Sequence, residues 1–258
     1  MPEANRFHDG DERRLDQAFD CYGHFYSFAF QGQMLRCRSL LEIVAAGGPE
    51  LEGRRLAEGP VDVLAVMMNP GTSRPMERAY REAEVADAAE MAAARRLTRT
   101  VPDTTQYQLM RLALARGWRH IRVLNLSDLR NFAGDEAMKE IAELEASPEG
   151  QRHSIFSELR AEERAELIPD AAGIPIVLGW GKRPALKPLA RRALAALEGR
   201  WTLGVRTTRR TPAKTPPAPE LYEHPYQYDP ELRAEWRRQM QAMLEQGPDH
   251  GPVQRVLL

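Results

Sequence analysis

Residues 61–75 read VDVLAVMMNPGTSRP, and this stretch decides the fold. The apolar run 63–68 is too short and too β-branched for a helix, and it stops abruptly at Asn69-Pro70-Gly71. It predicts a buried parallel strand that ends in a tight turn. In an open α/β sheet, ligands bind beyond the carboxyl ends of the strands, so the polar group on that turn, Asn69, is expected to face the crevice where chemistry occurs.

The same pattern recurs twice downstream. IRVLNLSDLRNF at 121–132 runs into Asn125, and IPIVLGWGKRP at 174–184 empties into Gly179-Trp180-Gly181-Lys182. Helical segments separate these strands. TTQYQLMRLALAR at 104–116 puts Leu109, Leu112 and Ala113 on one face, with Asp103 or Thr104 as cap and Gly117 as stop. PALKPLARRALAAL at 184–197 is amphipathic with proline near its start, and WTLGVRT at 201–207 offers a fourth strand. This alternation predicts a three-layer α/β/α fold around a central, mainly parallel four-stranded sheet.

The flanking segments are read more coarsely. Residues 1–16 are polar and expected to be loosely held, whereas 17–48 should form a hairpin or curled edge strand turning at Gln31-Gly32-Gln33. His24 lies among the aromatics of that hairpin and reads as structural. The stretch 74–99, rich in Ala, Glu and Arg, should be largely helical. Residues 134–170 should give two surface helices, and 230–245 a closing helix. We expect one domain over 1–258, with the motifs in 61–229 and a carboxyl-terminal helix and tail in 230–258.

Composition narrows the function classes. The 36 Lys and Arg nearly balance 37 Asp and Glu, leaving a net charge of −1, so a polyanion would have to be met by a local patch. Cys21 and Cys37 have no metal-ligand or redox spacing, which points to a reduced, cytoplasmic setting without a metal or other cofactor. No segment has the length and apolarity of a membrane span, and neither a P-loop nor a dinucleotide-binding glycine pattern occurs. A monomer is expected.

Three of the turns and a later dipeptide together resemble the uracil-DNA glycosylase superfamily. Its mismatch-specific and single-strand-selective branches carry an apolar-N-P-G motif, matched here by Met68-Asn69-Pro70-Gly71. An L-N turn is resembled by Leu124-Asn125, a W-G-K turn by Trp180-Gly181-Lys182, and a late H-P motif by His224-Pro225. The same landmarks also resemble an uncharacterised bacterial family with L-N-P-S-T, V-N-L, W-G and H-P turns. Strict uracil enzymes have aspartate at the place of Asn69, and their late motif continues with serine and a small residue where this chain has Tyr226-Gln227.

The resemblance to the glycosylases implies cleavage of an N-glycosidic bond in DNA. Asn69 would position a water without taking its proton, so catalysis would rest on positioning and electrostatics, with His224 donating to a base carbonyl. Asn125, with both a donor and an acceptor, would read the edge of a flipped base. Met68, Pro70, Gly71 and Tyr226 would line the base pocket. Arg206, Arg209, Arg210 and Lys214 form a basic stretch ahead of His224, and with Lys182 they are the expected phosphate contacts. Two alternatives remain open at this point: a nucleotide- or nucleic-acid-binding module without catalysis, and a nucleoside hydrolase.

Overall fold

A computed structural model describes residues 10–130, 135–171, 173–208 and 218–248. Its strands are β1 (Phe19–Phe30), β2 (Gln33–Ala45), β3 (Val63–Met67), β4 (Arg74–Pro75), β5 (Ala83–Glu84), β6 (Thr98–Val101), β7 (His120–Asn125), β8 (Ile176–Gly179) and β9 (Thr202–Leu203). The helices are α1 (Glu12–Ala18), α2 (Ala88–Ala93), α3 (Thr104–Arg116), α4 (Asp135–Glu145), α5 (Ala161–Leu167), α6 (Lys187–Ala196) and α7 (Pro230–Gln246). The strands join in the order β4-β6-β1-β2-β7-β3-β8-β9, with β5 beside β1.

The α/β class holds, but the expected central, mainly parallel four-stranded sheet needs correction. The parallel ladders β7-β3, β3-β8 and β8-β9 form one wing of a nine-stranded mixed sheet whose longest ladder is the antiparallel β1-β2 hairpin. That hairpin is not an edge. β2 pairs antiparallel with β7 from Leu41↔Val123 to Val44↔His120, so it covers the backbone groups that β7 would otherwise leave unpaired. Gln31 and Gly32 take φ of 49° and 77°, the left-handed pair that suits a two-residue hairpin turn to the twist of its strands.

Helices pack on both faces of the sheet. On one side Val66, Leu124 and Leu178 meet Met91 of α2, Ile141 of α4, Leu167 of α5 and Leu189 of α6. On the other, Ala65, Val123 and Val177 meet Leu15 of α1, Leu109 of α3 and Trp236 of α7. Alternate residues of β3, β7 and β8 thus feed opposite layers, as the period of two in a strand requires.

Other expectations are also amended. Part of the loosely held segment is helix α1, anchored by the fully buried Leu15 and by Arg111, which donates to Asp11 and Glu12. The stretch 74–99 is helical only at α2. Its residues 83–84 pair with Tyr26 and Ser27 instead, and Arg95 is buried against Glu163 and Glu166. Helices α3, α6 and α7 match their sequence signals closely: Asp103 accepts from the N–H groups of Thr105 and Gln106, and Gly117 ends α3 at φ 70°.

Candidate functional site

The motifs singled out in the sequence meet at the carboxyl ends of β7, β3 and β8. Met67 stands opposite Asn125 in one ladder and opposite Gly179 in the other. The pairing runs on into the turns, where Leu126 N–H donates to Met67 O at 2.9 Å and Ser127 N–H to Met68 O at 3.0 Å. Asn69, partly buried, reaches across the same gap, its Nδ2 donating to Leu129 O at 3.3 Å. Gly71 adopts φ +58°, which lets the chain turn back directly after Pro70.

The late motif is delivered by three anchors. Gly181 bridges Tyr222, Trp180 Nε1 donates to Glu220 O at 3.0 Å, and Trp236 Nε1 of α7 donates to Glu223 O at 3.2 Å. Pro225 then lies against Gly179, where an added Cβ would come within 2.8 Å of its ring. Glycine is needed there for close approach and not for backbone angle. His224 follows beside this contact, partly buried, with Nδ1 3.2 Å from both the N–H and the carbonyl oxygen of Tyr226. A proton on Nε2 lets Nδ1 accept the N–H and leaves Nε2 to donate to a ligand carbonyl, whereas a proton on Nδ1 is donated to the Tyr226 carbonyl. Burial lowers the His224 pKa below the usual histidine value, opposed by the Tyr226 backbone and the charge of Asp103, so the ring is neutral at pH 7.

Asn125 is the most telling member. Its residue is 0 % exposed, and among the described residues neither its Nδ2 nor its Oδ1 has a hydrogen-bond partner. Because Val123 feeds the α3/α7 layer and Leu124 the opposite one, Asn125 faces α3. Two further buried polar groups on that layer share its condition. Gln106, in the first turn of α3, has both amide atoms without a partner, and Arg38 of β2 has Nε and Nη1 without one. Buried polar atoms are nearly always paired, so three such groups facing one layer of the fold stand out.

The remaining expected residues divide. Met68 turns its side chain into the core under α4 and α6 and offers only its carbonyl, while Pro70 is buried in the turn. Tyr226 is partly buried under the guanidinium of Arg233 at 5.4 Å. Arg206 is committed to the protein itself: it donates to the carbonyls of Pro219 and Leu221 and to the Tyr222 hydroxyl, and its guanidinium lies 4.1 Å from the Tyr222 ring centroid. Arg209, Arg210 and Lys214 lie outside the described residues. Lys182 pairs with Glu223 at 2.5 Å and borders a cleft of about 480 Å³ that Lys187 and Arg191 of α6 also line.

Lys187 and Arg191 escaped the sequence reading because they look like the solvated face of an amphipathic helix. Arg38 and Gln106 escaped it too. A charged residue amid LRCRSLL was a legible anomaly, whereas Gln106 is ordinary in a first helical turn.

A further arrangement lies at the turn after β7, on Ser127, which sits in no nucleophile elbow of the sequence. Ser127 Oγ lies 2.9 Å from His153 Nδ1, His153 Nε2 lies 2.8 Å from Glu145 Oε1, and Arg192 grips Glu145 through both nitrogens. The connectivity is that of a hydroxyl-imidazole-carboxylate relay, but Ser127 and His153 are fully buried, and Ser127 Oγ also accepts the N–H of Leu129. It braces the turn that carries Asn125. Beside it, Arg160 bridges Asp128 and Glu163, and Tyr26 donates to Asp128 at 2.9 Å.

Among the described residues no group of three or more His, Cys, Asp or Glu side chains could hold a metal ion, and no helix is long and apolar enough to cross a membrane. Comparison of the chain with protein-family models, with curated proteins and with solved structures returns no match.

Proposed function

We propose that this chain is a DNA glycosylase-like hydrolase that takes a flipped, modified or mismatched pyrimidine into the crevice at the carboxyl ends of β3, β7 and β8. The observation that carries the reading is the buried, unpartnered amide of Asn125, set opposite Met67 and beside the turns bearing Asn69 and His224. An amide in that state has donor and acceptor capacity reserved for a ligand edge, and a pyrimidine presents the complementary pair. In this reading the β7-β3-β8-β9 wing corresponds to the sheet of the uracil-DNA glycosylase superfamily, with the β1-β2 hairpin added to it.

The reaction needs little covalent chemistry from the protein. The bond between the sugar C1′ and the base nitrogen breaks, its electron pair going to the base. A water oxygen bonds to C1′ and its proton passes to solvent. Asn69 holds the water, and neutral His224 donates to the base carbonyl where negative charge collects. Lys187, with Lys182 and Arg191 in their ion pairs to Glu223 and Glu220, places cations beside the crevice for phosphate contact. If the base is a modification carried by invading phage DNA, the role is defence.

The test is incubation with DNA duplexes and single strands bearing a panel of modified and mismatched pyrimidines, followed by alkali. Strand scission at one modified position supports the reading. Binding without scission on any member indicates a non-catalytic nucleic-acid module, and release of base from free nucleosides alone indicates a nucleoside hydrolase.

A further inference from the structure

Arg38 is 2 % exposed in the middle of β2 and forms no ion pair among the described residues, while its Nε and Nη1 have no acceptor. A guanidinium in that position is unusual, since removing a charge from water without a partner costs several kcal/mol. Its place is well fixed. The Arg38 N–H donates to Asp128 O at 2.9 Å, the preceding Cys37 bridges Leu129, and Leu41 pairs with Val123, so β2 runs alongside the whole turn from Asn125 to Leu129. Cys37 packs into the layer of α4 and α6, so the next side chain along β2, Arg38, points to the α3 side of the sheet, the side that Asn125 also faces.

We infer that Arg38, assisted by the Gln106 amide, is a further contact to the leaving base, holding the negative charge that the base acquires as its bond to the sugar breaks. The inference rests on the glycosylase reading for its chemistry, but the pocket it describes can be tested apart from cleavage. A buried cation with two free N–H groups has an unmet demand for an anionic or carbonyl acceptor, and the departing base is the one partner whose charge rises during the reaction. Asn125 then reads the identity of the base, and Arg38 acts on its departure.

The experiment uses the full chain and its Arg38→Met, Arg38→Lys and Gln106→Leu variants. Matched DNAs carry uracil or the more acidic 5-fluorouracil at the cleaved position, and free uracil and free 5-fluorouracil serve as ligands in thermal-shift titrations. Loss of a charge-assisted contact predicts that Arg38→Met slows uracil release on the order of tenfold to a hundredfold. The slowing should be clearly smaller for 5-fluorouracil, whose anion needs less help. Arg38→Lys should recover part of the difference, and Gln106→Leu should show the same bias more weakly. Free 5-fluorouracil should shift the melting temperature of the wild type but not of Arg38→Met.

Equal slowing on both bases by all three variants, or an unchanged shift in Arg38→Met, overturns the role of Arg38 while leaving the glycosylase reading standing. Absence of cleavage by the wild type on these DNAs and on the whole panel of modified and mismatched pyrimidines, with the ligand shift present and dependent on Arg38, removes the enzymatic reading and keeps the pocket. If neither free base shifts the wild type, the pocket itself is rejected. Should Arg38→Met prove unfolded, the Arg38→Lys and Gln106→Leu comparisons decide by the same bias.

Discussion

Asn125 stands level with the end of β3, opposite Met67, and this one register fixes the relation between the two asparagines of the crevice. Asn69 leaves the sheet two residues beyond Met67 and bonds back to Leu129 beyond Asn125, so the two turns close on each other. A slip of one residue between β3 and β7 would turn the Asn125 amide to the α4/α6 layer and dissolve the site.

Asn125→Leu should separate stability from function. The native amide carries a desolvation cost of roughly 1–3 kcal/mol without a partner to offset it, and leucine has the same number of side-chain heavy atoms with the same branching. The melting temperature is expected to stay level or rise while activity disappears. A marked loss of stability would mean that the amide is bonded within the fold. Asn125→Asp, which exchanges a donor for an acceptor, should instead shift preference between uracil-like and cytosine-like bases.

Asn69→Ala should lower turnover by on the order of a hundredfold or more with the fold intact, because a preorganised polar group at a transition state is worth about 3–4 kcal/mol. Circular dichroism and single-turnover cleavage measure the two effects separately. Equal rates in mutant and wild type would remove Asn69 from the mechanism.

The Ser127-His153-Glu145 relay is expected to be a brace. Ser127→Ala should cost about 1–2 kcal/mol in denaturant unfolding through the lost bonds to His153 and Leu129. Activity per folded molecule should stay within a few-fold of wild type, and serine-directed phosphonylating reagents should have no effect. Covalent labelling of Ser127 would reassign the relay to catalysis.

The acid side of the pH profile should report His224. Its pKa is lowered from the ordinary 6.5 by burial, so the neutral ring persists through pH 6.5 and is lost only at lower pH. Activity that needs the neutral ring should be level at pH 7 to 8 and fall as the pH drops below the ordinary histidine value. Stability has the same sign. His24, pushed down to about 3 by burial, and His224 both protonate more readily in the unfolded chain, so each contributes stability that is present above pH 6.5 and erodes as the pH falls toward the folded value. The cleavage profile and urea unfolding between pH 4 and 8 check both, and a rate that rises on acidification would show that the charged ring is the active form.

Lys187→Ala combined with Arg191→Ala should weaken DNA binding and reduce the slope of log affinity against log salt by about 1–2, since each lost phosphate contact removes roughly one released counterion. Both side chains line the cleft next to Lys182, outside the polar groups around Asn125. An unchanged slope would place the DNA on another face.

Local sequence determined the parts of this protein that depend on a few consecutive residues. The β3 run and its Asn69-Pro70-Gly71 turn, the Asp103 cap and Gly117 stop of α3, and the span of α7 follow from periodicity, capping and backbone freedom within a turn or two of chain. Tertiary structure decided the rest, because it depends on which surfaces and charges remain to be matched between distant segments. The stretch 74–99 has helical composition, yet Val85 N–H bonds to Ser27 O and Arg95 is held by Glu163 and Glu166, so long-range pairing overrides propensity there. The hairpin moved from the expected edge to the middle because β7 offered an open backbone edge that β2 could pair. That placement carried Arg38 beside the turn of Asn125, a neighbourhood that no spacing in the sequence encodes.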